Sequence, residues 1–243
     1  FTAALHYFSG TRGRGGRGGR AAWVAVLVIV AALSVAAHVR NDMWTDRLAF
    51  WEYEVGKSPR KPTVRNNLGL VYSGLGRMEE AVEEFKLSIK YGPAYALPYK
   101  NLGNVYYSLG RLSEAMEEYE TSLWLKPEQA RVRNNLGAIY AGRGRLSEAV
   151  EEYKEALRLE PGYARARYNL GTAYAKQGRA DEAVEEYGKA IALKPDYVKA
   201  RYNLGLVYME KGMREEARGE LEKAFALNPG DGEIRGALDS LRE

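Results

Sequence analysis

A glycine returns every 34 residues along most of this chain, inside segments whose other residues favour a helix. The period is carried by Gly69, Gly103, Gly137, Gly171 and Gly205. Glycine in a helix interior is unfavourable by about 1 kcal/mol relative to alanine. Its recurrence at a fixed spacing therefore indicates that the fold requires glycine at these positions. A fixed period of this length is typical of chains built from similar units that bury their apolar faces against one another.

Other residue types keep the same period. Leu precedes each of these glycines, Tyr follows it three positions later, and Ala follows it after twelve. An aromatic residue or Leu comes next, at Phe85, Tyr119, Tyr153, Tyr187 and Leu221, and a proline closes each unit, at Pro93, Pro127, Pro161, Pro195 and Pro229. A second glycine, such as Gly144, falls where a first helix would end and can adopt the left-handed conformation of a helix C-terminus. Each terminal proline blocks continuation of the helix before it.

The pattern Leu-Gly-x2-Tyr, then Ala-x3-Phe/Tyr, then Pro, at a period of 34 residues, resembles the tetratricopeptide repeat (TPR). The resemblance implies an all-α fold, a TPR α-solenoid in which helix pairs stack into a right-handed superhelix. It covers five repeats: 62–95, 96–129, 130–163, 164–197 and 198–231. Residues 232–243 predict a C-terminal capping helix with an apolar stripe of Ile234, Leu238 and Leu241, and residues 40–61 predict a half-repeat, a second helix without its first.

Three of the second helices open on residues that favour a helix N-terminus. Ser113, Ser147 and Asp181 stand there, each followed by an acidic residue. Side-chain oxygens accept hydrogen bonds from the first free backbone N–H groups, and acidic residues complement the helix dipole. We therefore expect these three residues to cap their helices.

An uncharged, apolar run precedes the repeats at residues 21–39. As a helix its 19 residues would measure about 28 Å, close to the ~30 Å hydrocarbon core of a bilayer. Trp23 and Trp44 flank it as interfacial anchors would. The run predicts a transmembrane helix in contact with the lipid bilayer, and a cleaved secretory signal peptide is the alternative.

The segment before this run is rich in Arg and Gly and contains no acidic residue over 10–21. It can be interpreted as a short RNA-binding tail or as the positive flank of a membrane helix, and its position beside the apolar run favours the flank. The charge bias then places residues 1–20 in the cytoplasm. The repeats would lie on the non-cytoplasmic side of a bacterial-type inner membrane.

Composition excludes several classes of function. The chain has no Cys, and its two histidines, His6 and His38, lie outside the repeats, so the repeats offer no Cys nucleophile, no His-based metal site and no Ser-His-Asp triad. Residues 62–231 carry 25 basic and 25 acidic side chains, which argues against nucleic acid as a partner. We expect no cofactor, no metal and no catalytic residue in this chain.

The asparagine before each Leu-Gly pair is the main candidate for binding. It occurs in all five repeats, at Asn67, Asn101, Asn135, Asn169 and Asn203. By resemblance to the TPR array of the O-GlcNAc transferase family, this ladder lines a concave groove and holds the backbone of an extended peptide. An amide offers both a donor and an acceptor, which suits a peptide backbone. The alternative is a structural asparagine that hydrogen-bonds between adjacent helices, and the sequence leaves both open.

Five neutral hydrogen bonds at about 1 kcal/mol each do not reach the ~8 kcal/mol of a micromolar complex, so other groove residues must contribute. They fall one position before the ladder, four before it and three after it. The candidates at these positions are Lys100, Asn104, Arg131, Asn134, Arg165, Tyr168, Lys199 and Tyr202. Together they predict a mildly basic, aromatic groove suited to an acidic or C-terminal peptide, and the alternative is an ordinary solvated surface. The carboxylate clamp of chaperone-binding TPR proteins is matched only in part, at Lys100 and Asn104.

The sequence thus predicts a membrane-anchored TPR scaffold that binds a protein or an extended peptide, and it leaves the oligomeric state open. The alternative rests on a second resemblance. A membrane helix, a Trp-rich half-repeat ending in Ser58-Pro59 and repeats opening with NNLG are similar to membrane O-mannosyltransferases with C-terminal TPR arrays. On that view the chain is the arm of a polytopic glycosyltransferase that presents protein substrates, and the enzyme core lies upstream of Phe1.

Overall fold

The computed structural model describes residues 24, 26–30, 32–33 and 46–241. These divide into two compact units, one up to Pro59 and one from Arg60 onward. Of the predicted membrane span 21–39, the described residues are helical and exposed, and the rest lies outside the described part. No helix within the described ranges is both long and apolar enough to cross a membrane. The transmembrane helix is therefore not supported by the described residues, and the localisation inferred from it stays a prediction.

The first unit contains helix α1, Arg47–Lys57. The carboxylate of Asp46 caps it by accepting hydrogen bonds from the backbone N–H groups of Leu48 and Ala49. Phe50 and Trp51 contact each other edge to face with ring centroids 5.0 Å apart. The predicted half-repeat of 40–61 thus has a helix in its described portion, and its relation to the repeats stays a prediction.

The second unit consists of five helix pairs and one closing helix. The first helices of the pairs are α2 Pro62–Gly74, α4 Ala96–Ser108, α6 Ala130–Gly142, α8 Ala164–Lys176 and α10 Val198–Glu210. The second helices are α3 Met78–Tyr91, α5 Leu112–Leu125, α7 Leu146–Leu159, α9 Ala180–Leu193 and α11 Arg214–Leu227, and the closing helix is α12 Gly232–Ser240. The two helices of a pair pack on each other, and each second helix packs on the first helix of the next pair. The expected all-α solenoid of helix pairs is confirmed.

The periodic glycine is the point of closest approach within each pair. A Cβ atom on Gly137 would lie 2.8 Å from Cε1 of Tyr153 and 3.2 Å from the backbone carbonyl oxygen of Ala149. The aromatic residue of the second helix packs directly against the glycine, and Tyr153 is only 2% exposed. The same contact recurs in every repeat, and in the fifth Leu221 takes the place of the ring. The expected role of the glycine, close helix contact, is confirmed.

The second periodic glycine ends each first helix. Gly76, Gly110, Gly144, Gly178 and Gly212 have φ between 72° and 76°. In the third repeat the backbone N–H of Arg145 donates to the carbonyl of Tyr140 over 2.9 Å, which is the long hydrogen bond of a Schellman motif. The left-handed cap predicted from the sequence is therefore present in all five repeats.

An arginine follows this glycine in the first four repeats and joins the two helices. The guanidinium of Arg145 lies 4.4 Å from the ring centroid of Tyr140, and its Nε donates to the carboxylate of Glu148 over 2.8 Å. Arg77, Arg111 and Arg179 repeat this arrangement. The stacking and the ion pair fix the turn between the paired helices.

The expected N-caps of the second helices are wrong. The cap position is taken by the residue after the left-handed glycine, such as Arg111, and no side-chain oxygen caps the helix there. Ser113 and Asp181 instead contact the next repeat. Ser113 accepts a hydrogen bond of 2.8 Å from Arg143, and Asp181 pairs with Lys211. Acidic residues do occupy the first turns, as the helix dipole favours.

A second ion pair spans each repeat except one. An arginine of the first helix donates to a glutamate 19 residues later, over 2.6 to 3.0 Å, in the pairs Arg65–Glu84, Arg133–Glu152, Arg167–Glu186 and Arg201–Glu220. Repeat 2 has Tyr99 in place of the arginine, and Glu118 forms no ion pair with a described residue. Burial, reinforced by Glu117, raises the pKa of Glu118 to about 6. Repeat 2 therefore lacks an interaction that the other four share.

The C-terminal helix covers the apolar end of the array. Asp231 caps α12 by accepting hydrogen bonds from the backbone of Glu233 and Ile234. Ile234 and Leu241 are 1% and 5% exposed. Arg214 donates to the carbonyl of Leu241 over 3.0 Å, which ties the end of the chain to α11. The predicted apolar stripe of the capping helix is therefore buried.

Two glycines of repeat 4 provide a matched test of the close contact. A Cβ on Gly171 would lie 2.9 Å from Cδ1 of Tyr187 and 3.3 Å from the carbonyl oxygen of Ala183, whereas a Cβ on Gly188 meets nothing within 4 Å. We expect Gly171→Ala to lower the free energy of unfolding by about 1–3 kcal/mol through overpacking. We expect Gly188→Ala to raise it by about 0.5–1 kcal/mol through helix propensity.

Urea unfolding followed by circular dichroism measures both variants against the unmodified chain. A Gly171→Ala variant as stable as that chain would contradict the packing role of the periodic glycine.

Candidate functional site

One side of the first helices is exposed along the array. In α6, Arg131, Asn135 and Ala138 stand at i, i+4 and i+7 and so share a side. Val132, Leu136 and Ile139 have the same spacing on the other side and are 1–2% exposed. We call this row, with its equivalents in the other first helices, the first-helix face. Its members are Asn104, Arg131, Arg165 and Lys199, which are exposed, and Ala138 and Thr172, which are half-buried.

The ladder asparagines join neighbouring first helices. Nδ2 of Asn101 donates to Oδ1 of Asn66 over 2.8 Å, and Nδ2 of Asn169 donates to Oδ1 of Asn134 over 2.8 Å. The partners are 35 residues apart, so each bond crosses from one repeat to the next. The acceptors are almost inaccessible, since Asn66 is 2% and Asn134 is 0% exposed. These hydrogen bonds therefore stabilise the stack from inside.

The partner changes where the acceptor position changes. In repeat 4 that position is Tyr168, and its hydroxyl accepts from Asn203 over 3.3 Å. In repeat 2 it is Lys100, which has no acceptor atom. There Asn135 donates instead to Oδ1 of Asn104 and to the hydroxyl of Tyr119, each over 3.2 Å. Asn67, at the start of the array, accepts from Asn66 over 3.3 Å.

These contacts revise the sequence interpretation of the ladder. Every ladder asparagine has a protein partner, as the structural alternative requires. Asn134, placed in the groove on the sequence, is fully buried and presents no atom to a ligand. Asn104, interpreted as part of a carboxylate clamp, already accepts from Tyr119 over 2.8 Å. Tyr202 packs against the C-terminal core and is half-buried.

The cations of the first-helix face are exposed and unneutralised. Arg131, Arg165 and Lys199 occupy the same position in three successive first helices, and none makes an ion pair or hydrogen bond with a described residue. The half-buried ammonium group of Lys100 lies beside them, and its pKa is lowered by burial and by the charges of Arg131 and Lys126. This stretch therefore carries a net positive potential.

Tyrosines border these cations. The rings of Tyr168 and Tyr197 lie with centroids 5.1 Å apart. Tyr163 and Tyr197 stand at the N-caps of α8 and α10, and burial raises the pKa of both hydroxyls while the charge of Arg165 opposes the shift. Neither was among the residues chosen from the sequence. Tyr163 and Tyr197 are 34 residues apart, and Tyr95 precedes Tyr163 by two such periods. This spacing is the signal that could have found them.

Comparison with known families gives the repeat its name. A family model described as "TPR repeat" matches residues 103–144, 139–178 and 173–212, and models described as "Tetratricopeptide repeat" match 62–95 and 198–231. The chain belongs to the tetratricopeptide repeat family. The TPR matches cover the helix pairs described above, including the periodic glycine of each repeat.

Several solved structures share this fold. YrrB, described as a TPR protein with an unusual peptide-binding site, is 23% identical with a TM-score of 0.68, over 78% of this chain and 97% of its own. MamA is 28% identical with a TM-score of 0.63, over 67% of this chain and 95% of its own. PilF of Pseudomonas aeruginosa is 23% identical with a TM-score of 0.64, over 76% and 90% of the two chains.

No curated protein matches the chain. The resemblance of its N-terminal junction to membrane O-mannosyltransferases therefore has no support beyond the sequence pattern. The family assignment therefore applies to the TPR array, residues 62–231.

The inter-repeat amide bond can be tested by removing its donor. We expect Asn169→Ala to lower the free energy of unfolding by about 1–3 kcal/mol, because Oδ1 of buried Asn134 loses its donor. The double variant Asn134→Ala/Asn169→Ala should lose less than the sum of the two single variants, since the contact can be lost only once. Urea denaturation of the four proteins measures the coupling. Unchanged stability of Asn169→Ala would return the ladder to the peptide-binding interpretation.

Proposed function

We propose that this chain is a scaffold that binds an extended segment of a partner protein along its first-helix face. In a TPR array this face lines the concave side, so a peptide lying there would cross several repeats. The proposal assigns no catalytic step to the chain. The observation that carries it is the row of exposed side chains at Arg131, Arg165 and Lys199, whose donors have no partner among the described residues.

The comparisons support this assignment at the level of the family. YrrB, a structural neighbour, is described as having a peptide-binding site. The ladder asparagines are bonded between repeats, so the proposed contacts come mainly from the cations and the tyrosines beside them. This differs from the sequence interpretation, in which the asparagine ladder held the peptide backbone.

We also propose that residues 21–39 anchor the array to a membrane, with the repeats on the non-cytoplasmic side. The support is the uninterrupted apolar run and the four arginines at 12, 14, 17 and 20 on one side of it. Carbonate extraction of cells that express the chain should leave it in the membrane pellet. Release into the supernatant would contradict the anchor.

Ala138 offers a way to obstruct the first-helix face without disturbing the core. It is half-buried, and the other repeats hold Leu70, Asn104, Thr172 and Leu206 at its position, so a larger side chain fits the fold. We expect Ala138→Trp to weaken binding of peptides selected against the full chain from a random display library by about tenfold or more. The physical reason is that the indole fills the space between neighbouring first helices.

The control is Ala192→Trp. Ala192 is exposed on α9, and repeat 2 already carries Trp124, 81% exposed, at the equivalent position. This variant should bind the selected peptides as the unmodified chain does, with both variants melting at its temperature. Equal binding by Ala138→Trp and Ala192→Trp, measured by fluorescence anisotropy, would place the site elsewhere.

A further inference from the structure

Two arginines of the array differ from all the others. Between residues 62 and 241, every arginine except Arg131 and Arg165 donates to a carboxylate, a hydroxyl or a backbone carbonyl. Arg131 and Arg165 occupy the same position in repeats 3 and 4, and repeat 5 has Lys199 there. The side-chain hydrogen bonds that hold the other arginines are therefore absent at Arg131 and Arg165 among the described residues.

Further donors surround the row. The positive charges of Lys100 and Arg131 repel each other. Arg165 is close enough to Tyr163 and Tyr197 for its charge to oppose the rise that burial causes in the pKa of both hydroxyls. The negative charge of Glu160 adds to the rise that burial causes in the pKa of the Tyr163 hydroxyl, and Glu160 makes no ion pair with a described residue. A ligand that brings carboxylates would satisfy these donors, since charge-assisted hydrogen bonds are the strong ones.

The spacing of the row sets the spacing of the ligand. Packed helices lie about 8–10 Å apart, so successive members of the row are separated by about that distance. An extended polyproline II peptide has three residues per turn and a rise of about 3.1 Å per residue, so every third side chain recurs on one side after about 9 Å. The two periods agree. The half-buried rings of Tyr168 and Tyr197, with centroids 5.1 Å apart, place aromatic side chains near Arg165, and such peptides dock on aromatic side chains.

We propose that repeats 3 to 5 bind an extended segment of a partner protein that carries Asp or Glu at every third residue. Arg131, Arg165 and Lys199 each bind one carboxylate, and Tyr163 and Tyr197 donate from the side. The inference rests on the proposed function, because it names the chemistry of the peptide that the first-helix face takes.

Labelled synthetic peptides test the charge and the spacing separately. The probe is four copies of Glu-Pro-Pro; the first comparison peptide has Gln in place of Glu, and the second has the same four Glu residues alternating with Pro, followed by the remaining prolines. We expect the full chain to bind the probe about tenfold more tightly than either comparison peptide, and added salt to weaken that binding. Fluorescence anisotropy measures the three affinities.

Variants locate the contact. Arg131→Gln and Arg165→Gln should each weaken binding of the probe by about tenfold. Arg158→Gln is the matched control: it removes one charge from α7, where Arg158 pairs with Glu155 away from the row, and it should leave binding unchanged. Circular dichroism melting curves establish that all three variants are folded.

Several results would overturn the inference. They are equal binding of the Gln peptide, equal binding of the alternating peptide, unchanged binding by Arg131→Gln and Arg165→Gln, or binding only when phosphoserine replaces Glu. If the probe fails while library-selected peptides still lose affinity for Ala138→Trp, the proposed function stands and only the acidic ligand is wrong. If no peptide distinguishes Ala138→Trp from Ala192→Trp, the binding face itself is wrong.

Discussion

The array depends on one contact, in which the periodic glycine of a first helix packs against an aromatic ring of the second helix. At Gly137 the ring of Tyr153 lies where a Cβ would stand. This contact sets how closely the two helices of a pair approach, and each pair then presents its remaining apolar surface to the next. Since no pair covers that surface alone, the stack and its closing helix α12 follow from the same constraint.

Much of this fold could be predicted from the sequence because its determinants are local and periodic. The left-handed glycines, Leu136, Tyr140 and the closing prolines each recur with the 34-residue period, so their spacing reveals them. The N-caps were mispredicted for a related reason. The turn is short and the cap position goes to Arg145 or its equivalents, whose stacking on Tyr140 has no counterpart in capping preferences.

The site was less predictable because its determinants lie in other repeats. Asn134 and Asn169 are bonded across 35 residues, and nothing near Asn134 in the sequence indicates that it is buried. Arg131 and Arg165 could be identified by their register, but their lack of partners became visible only beside the arginines that are paired. The hydrogen-bond partner of a ladder asparagine depends on a residue of the preceding repeat. Because the side chain of Lys100 has no acceptor, Asn135 donates to Asn104 instead.

Repeat 2 departs from the other repeats in two ways. The side chain of Lys100 offers no acceptor to the ladder asparagine of repeat 3, and Tyr99 replaces the arginine that would pair with Glu118. Its 34 residues equal one period of the array. Excision of 96–129 would bring Asn135 into register with Asn66, in the place that Asn101 now holds. In the shortened chain each of the remaining repeats would pair its first-helix arginine with the glutamate 19 residues later. Removal of repeat 2 would therefore shorten the array by one period without changing the register of its neighbours.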